Sequence, residues 1–174
     1  MSTSKKINNS TLRLEKGDIT DMELEAFVFY AQSDLALGSG FGNAISMRGG
    51  LAIKKELESI GSLEEGKAVV TGAGEMKATH IVHAVGPKFQ EENIESKLET
   101  TMINTLKTAD EKGIKQLAFP PMGANFYGIP LPDCARIMVK TITEHLKGKS
   151  GLKDVLIIPM DNREFKPFEK ALNS

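Results

Sequence analysis

Leu37-Gly38-Ser39-Gly40-Phe41-Gly42-Asn43-Ala44 sets three alternate glycines between an apolar strand and a helix. Glycine has no Cβ, so main-chain N–H groups can turn outward and a bulky partner can come close. The run before it, Glu25-Ala26-Phe27-Val28-Phe29-Tyr30-Ala31, reads as a buried strand, and a helix begins at Asn43 and runs through Ala44, Ile45 and Met47. Strand, glycine loop and helix N-terminus together hold anions. Unpaired N–H groups and the positive end of the helix dipole face one point, so a phosphate can be bound without a lysine. The plainer alternative is a flexible connector, since isolated glycine motifs arise often by accident.

Working outward, residues 11–15 alternate apolar Leu12 and Leu14 with polar neighbours, the pattern of a half-buried strand ended by Gly17. Thr20-Asp21-Met22-Glu23 fits a capping box at the start of a short helix, which leaves Asp18 without an obvious local role. Beyond the glycine loop, Ile45, Arg48, Leu51, Ile53 and Leu57 keep helical spacing, interrupted by Gly49-Gly50 and stopped by Gly61, so two helical pieces are expected. Residues 67–71 and 79–85 read as strands rich in valine and isoleucine, and 91–112 as a long helix closed by Gly113. A fifth strand, 115–119, opens into a second glycine loop, Pro120-Pro121-Met122-Gly123-Ala124-Asn125-Phe126-Tyr127-Gly128. Helix from Pro132 or Asp133 to Lys147, strand over 154–158 and a last helix around 163–172 follow. Strands alternating with helices at these lengths predict a layered α/β fold with a largely parallel sheet.

The 174 residues suit one compact domain over 11–174, behind a polar stretch 1–10 expected to be a loose tail. That stretch resembles neither a secretory signal nor a transit peptide, and no apolar run reaches the roughly 20 residues that cross a bilayer. A single cysteine, Cys134, excludes an internal disulfide and any multi-cysteine metal site, which points to a reducing compartment and hence the cytoplasm. A net charge of −1 supplies no bulk basic surface, which argues against nucleic acid as a partner.

In open α/β sheets the loops leaving the carboxyl ends of parallel strands line a common crevice, and ligands bind there. Both glycine loops leave such ends, and two cradles side by side suit two linked phosphates. Neither loop carries a lysine or arginine, although Arg48 lies on the helix behind the first. A triphosphate-hydrolysing P-loop would need a lysine and a Ser/Thr directly after the glycines, where Asn43-Ala44 stands. A dinucleotide fold would need an acidic residue after the next strand, where Thr71-Gly72 stands. His80 and His83, three apart on a strand, point to opposite faces and make no metal pair, and His145 reads as a solvated or dipole-facing residue late in a helix. No metal site or cofactor is assigned. Cys134, in a first helical turn, has either a dipole-lowered pKa or a packing role.

The motifs resemble those of the macrodomains, modules of about this size that bind ADP-ribose. Gly17-Asp18-Ile19-Thr20 resembles the opening G-D-I-T of that family, and Gly38-Ser39-Gly40-Phe41 its G-G-G-V loop. Gly66-Lys67-Ala68-Val69 with Thr71 is similar to G-e-A-v-x-T, and Ile81-Val82-His83-Ala84-Val85-Gly86-Pro87 to v-I-H-t-V-G-P. Phe119-Pro120 through Tyr127-Gly128 resembles F-P-x-x-x-x-G-x-Y-G except at Asn125. The resemblance covers nearly the whole chain, and five motifs in order make it specific. It implies a three-layer α/β/α sandwich on a mixed, mostly parallel sheet of about six strands, with ADP-ribose or a derivative in a crest cleft. By position, Asp18 would accept from the adenine amino group and the Ile19 N–H would reach the ring, the alternative for Asp18 being a helix cap or turn. Gly38, Ser39, Gly40, Phe41 and Gly42, with Gly123, Ala124, Asn125, Phe126 and Tyr127, would straddle the diphosphate and distal ribose. Phe126 and Tyr127 could instead fill core.

Departures from the family bear on activity. The N-A-A-N motif of its hydrolases corresponds to Phe29-Tyr30-Ala31-Gln32, and an acidic residue past the glycine loop corresponds to Gly42, so the group that would activate water is absent. Gln32 keeps an amide for the distal ribose, and Asp34, the carboxylate nearby, suits a turn better than catalysis. Met160 stands where many members stack an aromatic on adenine. Two functions follow from the resemblance: a module that binds ADP-ribose, free or on an ADP-ribosylated protein, or a hydrolase of ADP-ribosyl protein, O-acetyl-ADP-ribose or ADP-ribose-1″-phosphate. An RNA-binding domain is the weaker alternative.

Overall fold

The computed structural model describes residues 1–124 and 127–174. Seven strands, β1 (Ser4–Ile7), β2 (Ser10–Leu14), β3 (Ala26–Ala31), β4 (Ala68–Gly72), β5 (His80–Val85), β6 (Gln116–Phe119) and β7 (Asp154–Ile157), lie in the order β1-β2-β7-β6-β3-β5-β4. The four central pairs are parallel; β1/β2 and β4/β5 are antiparallel. The sheet is therefore mixed and mostly parallel, with one strand more than expected.

A parallel strand buried on both faces must be apolar at every position, and β3, Ala-Phe-Val-Phe-Tyr-Ala, is buried throughout. Its alternation divides the core. Phe27, Phe29 and Ala31 face α1 (Phe41–Gly49) and α2 (Leu51–Ile60), where Ile45 and Ile53 meet them. Val28 and Tyr30 face α3 (Ile94–Glu111), α4 (Leu131–Lys147) and α5 (Asn162–Leu172), where Leu98, Met138 and Phe168 close the other layer. Gly50 separates α1 from α2, giving the two helical pieces read from the sequence.

Two expectations are corrected. The stretch 1–10 is not a loose tail from end to end: Ser4–Ile7 pairs with β2 in antiparallel register, and Ile7 is buried. Ser10 Oγ donates to the Leu152 carbonyl 2.6 Å away and pins the turn between the two strands. Its polar sequence suits an edge strand, where lysines discourage further pairing, so composition alone reads as coil. The cap before the short 3-10 turn Ile19–Asp21 is Asp18, not Thr20. Asp18 Oδ1 accepts from the Thr20 amide at 3.0 Å and from the Thr20 hydroxyl at 2.6 Å.

Candidate functional site

The exits of β2, β7, β6 and β3 open into one cleft of about 500 Å³. Three strand spacings of about 4.8 Å separate the β2 exit from that of β3, so the cleft is roughly 14 Å long at its floor. Helix α1 returns along it: Phe41 stands by the β3 exit and Arg48, two turns later and about 10 Å away, by the β2 exit.

The β2/β7 end is charged. With Asp18 Oδ1 held by Thr20, Oδ2 is the oxygen left to the cleft, and Arg48 Nη2 stands 3.6 Å from it. Arg48 Nη1 also reaches Asp21 Oδ1 at 3.3 Å, and Lys77 Nζ reaches the same oxygen at 3.1 Å. The hydrogen bond and charge of Lys77 hold the Asp21 carboxyl below its ordinary range. Ile19 is buried and lines the cleft; its amide has no acceptor among the described residues. Past β7, Asp161 caps α5 by accepting the Glu164 N–H at 2.9 Å, while Glu164 Oε1 accepts the Met160 N–H at 2.8 Å. Met160 is thus fixed in the main chain, with its side chain 71% exposed at the rim. Glu164 went unread in the sequence, although Asp161-x-x-Glu164 is the same capping signature that was read at Thr20.

The middle is made of main chain. Ser39 and Ala124 line the same cleft from loops on the adjoining strands β3 and β6. The amides of Ser39, Gly40, Phe41 and Gly42 have no intramolecular acceptor among the described residues, as expected for a loop entering a helix. Gly42 is required sterically: a Cβ there would fall inside the Leu37 carbonyl oxygen. Gly123 takes φ +84°, and a side chain on it would meet Ile129 at 2.6 Å. Gly38 stays behind the lining, its α-carbon facing the Gln32 amide; Gln32 itself lines the cleft. Asp34 does not line it. Its Oδ1 accepts the Ala36 N–H at 3.0 Å, which is the turn role that the sequence favoured for it.

The β3/β6 end is aromatic. Phe29 packs on Phe41 with centroids 5.3 Å apart, and Tyr30 stacks on Tyr127 at 4.0 Å and 26°. The Tyr30 hydroxyl donates to the Pro87 carbonyl, and burial raises the pKa of both tyrosines. Under Phe29 lies His83, only 1% exposed and edge-on to that ring. The Thr71 hydroxyl donates its one hydrogen to the Gly72 carbonyl, so its oxygen accepts from His83 Nε2 at 2.9 Å. Nδ1 then holds a lone pair with no donor among the described residues, and burial pushes the imidazole down to about 4. The roles expected for Asn125 and Phe126 lie outside the described residues. Tyr127 both fills space and lines the cleft.

Away from the cleft, His145 is not solvated: Nε2 stands 2.6 Å from Asp110 Oδ2, and that carboxylate also accepts from Ser150 and from the Gly151 amide. Serine and histidine meet only through the aspartate, so no base faces the hydroxyl. Cys134 is buried, and desolvation pushes its thiol up to about 12, which of the two readings leaves the packing role. Among the described residues no cluster of three His, Cys, Asp or Glu could hold a metal, and no helix is long and apolar enough to cross a membrane.

The sequence pattern of the Macro domain matches residues 30–138. A macro domain-containing protein of Caldanaerobacter subterraneus subsp. tengcongensis is 39% identical over 92% of this chain and 94% of its own length. The O-acetyl-ADP-ribose deacetylase 2 of Pantoea vagans is 30% identical over 91% of this chain and 96% of its own length. Among solved structures, the Oceanobacillus iheyensis macrodomain with ADP superposes with a TM-score of 0.91 over 98% of this chain and 94% of that one. At 24% identity that likeness speaks for the three-layer fold alone. The matched pattern and the near full-length relatives together establish that this chain belongs to the Macro domain family.

Proposed function

We propose that this chain binds ADP-ribose, or a derivative of it, along the cleft. The adenine lies at the charged end, the diphosphate on the main-chain amides of 39–42 and of the Gly123 loop, and the distal ribose toward the aromatic rings. The observation that carries this reading is the row of uncommitted amides at the N-terminus of α1, facing a second glycine loop across one cavity. Asp18 Oδ2 would accept the adenine amino group while Thr20 holds Oδ1 still, and Met160 would lie against the ring. Two relatives point the same way: the solved structure of the Oceanobacillus iheyensis macrodomain contains ADP, and that of the Trypanosoma brucei macrodomain, at a TM-score of 0.85, contains ADP-ribose.

Calorimetric titration with ADP-ribose tests the proposal. Saturable binding is expected, weakened about tenfold or more in Asp18→Ala, the cost of one hydrogen bond to a charged group. No saturation at millimolar ligand would remove it.

The name of the Pantoea relative favours a second reading, hydrolysis of O-acetyl-ADP-ribose. Local chemistry weighs against it. Phe29 and Gln32 stand where hydrolases of the family carry asparagines, the Leu37 carbonyl fills the space a carboxylate at position 42 would need, and Asp34 serves a turn. Incubation with O-acetyl-ADP-ribose should release no acetate above the uncatalysed rate. Turnover abolished by Gln32→Ala would establish the hydrolase instead.

A further inference from the structure

We propose that the aromatic end of the cleft is a subsite for a planar, cationic ring attached to the distal ribose, so that the intact pyridine dinucleotide binds more tightly than ADP-ribose. The inference rests on the reading above for the ADP-ribose portion and adds what lies beyond it.

Among the described residues polar side chains are few at this end. The Tyr30 hydroxyl is committed to the Pro87 carbonyl, and the Gln32 amide and the Tyr127 phenol line the cleft where a ribose rich in hydroxyls would lie. Hydroxyl groups brought against apolar walls without partners lose hydration and gain nothing in return. Rings are plentiful by contrast. Phe29 with Phe41 and Tyr30 with Tyr127 stand as two packed pairs at the cleft wall, and Tyr127 is half-buried. Beside it Phe89, 59% exposed, lies over Gly128, close enough that a Cβ there would meet its ring at 2.5 Å.

Charge selects the kind of ring. The one cationic residue lining the cleft among the described residues is Arg48, engaged with Asp18 and Asp21 at the opposite end. Among the described residues a pyridinium therefore meets no like charge at the β3/β6 exits, and the rings within its reach are those of Phe41 and Tyr127, which stay partly exposed while Phe29 and Tyr30 are buried behind them. The glycine cradle holds the diphosphate in register, so the ring is delivered at fixed reach with no added cost of association.

The test is a calorimetric comparison of NAD+, ADP-ribose and O-acetyl-ADP-ribose on the full chain. NAD+ is expected to bind roughly threefold or more tighter than ADP-ribose, the size of a partly shielded cation–π contact. The ratio of the two constants should fall toward one in Phe41→Leu and in Tyr127→Leu, which keep apolar bulk and remove the ring. Because the ratio is taken within each variant, a general loss of affinity or stability leaves it readable. NAD+ binding no tighter than ADP-ribose overturns the subsite while leaving the proposed function standing. O-acetyl-ADP-ribose gaining as much as NAD+ overturns it as well, since added mass, not a ring, would then be responsible. If none of the three saturates, both proposals fall together.

Discussion

At the β2/β7 end of the cleft, Asp18, Asp21, Arg48 and Lys77 face one another in partial contact with water; at the β3/β6 end, Phe29, Tyr30 and His83 are buried behind the partly exposed rings of Phe41 and Tyr127. The first set is held by exposed ion pairs that solvent screens, so its geometry can adjust around a ligand at little cost. The second is held by burial and close packing, where a lost methylene or an unpaired polar atom is felt directly. One end is adaptable and the other rigid, although both stand on the same sheet edge and share helix α1.

The largest effect should come from Gly42→Asp, which gives the loop the acidic residue that hydrolases of the family carry. Because its Cβ would overlap the Leu37 carbonyl, the loop must open or the helix must move. A loss of about 3 kcal/mol in urea denaturation, with loss of ADP-ribose binding and no hydrolysis gained, is expected. A variant of normal stability would mean that the loop swings freely, and the contrast between rigid and adaptable ends would fail.

Next in size is pH. His83 is depressed from 6.5 to about 4 in the folded state by burial. Below pH 6.5 the unfolded chain takes up a proton that the folded chain refuses, so this stability is full at neutral pH and is lost as pH falls toward 4. That depression corresponds to about 3 kcal/mol at most. Denaturation curves at pH 7 and pH 4.5 should separate in the native chain and draw together in His83→Gln; equal separation in both would place the titration elsewhere.

Glu164→Ala probes the base of the charged end, where a buried carboxylate holds the Met160 amide. Loss of that bond in a capping arrangement should cost about 1–2 kcal/mol in thermal or urea unfolding. The smallest effect belongs to Arg48→Ala. Its partners are half exposed, so stability should change by less than about 1 kcal/mol, and the difference should vanish in molar salt. A larger, salt-insensitive loss would show that the charged end is as rigid as the aromatic one.

Much of the framework was legible because its signals are local. The continuous apolar run at β3 announces a strand covered on both faces, and the glycines at 38–42 announce a loop that something approaches closely. Failures had equally local causes. Ser4–Ile7 is polar because an edge strand tolerates it, and polarity reads as coil. Thr20 and Asp18 are both good caps two residues apart, and only the observed φ and ψ show which one starts the turn. Cys134 is a different case: the sequence left a dipole-lowered thiol and a packing role side by side, and burial by what packs from elsewhere decides for packing.

The order of strands and helices, the two glycine loops and the absence of a carboxylate at position 42 were decided by the chain itself, since periodicity and the lack of a Cβ act over a few residues. Which polar atoms remain free to meet a ligand was decided only on folding. Tyr30 is committed to a carbonyl 57 residues away, Arg48 to an aspartate 27 residues away, and Asp34 to its own turn. Commitments of that kind join parts of the chain that no local pattern connects, and they leave the amides of 39–42 open between one charged end and one aromatic end.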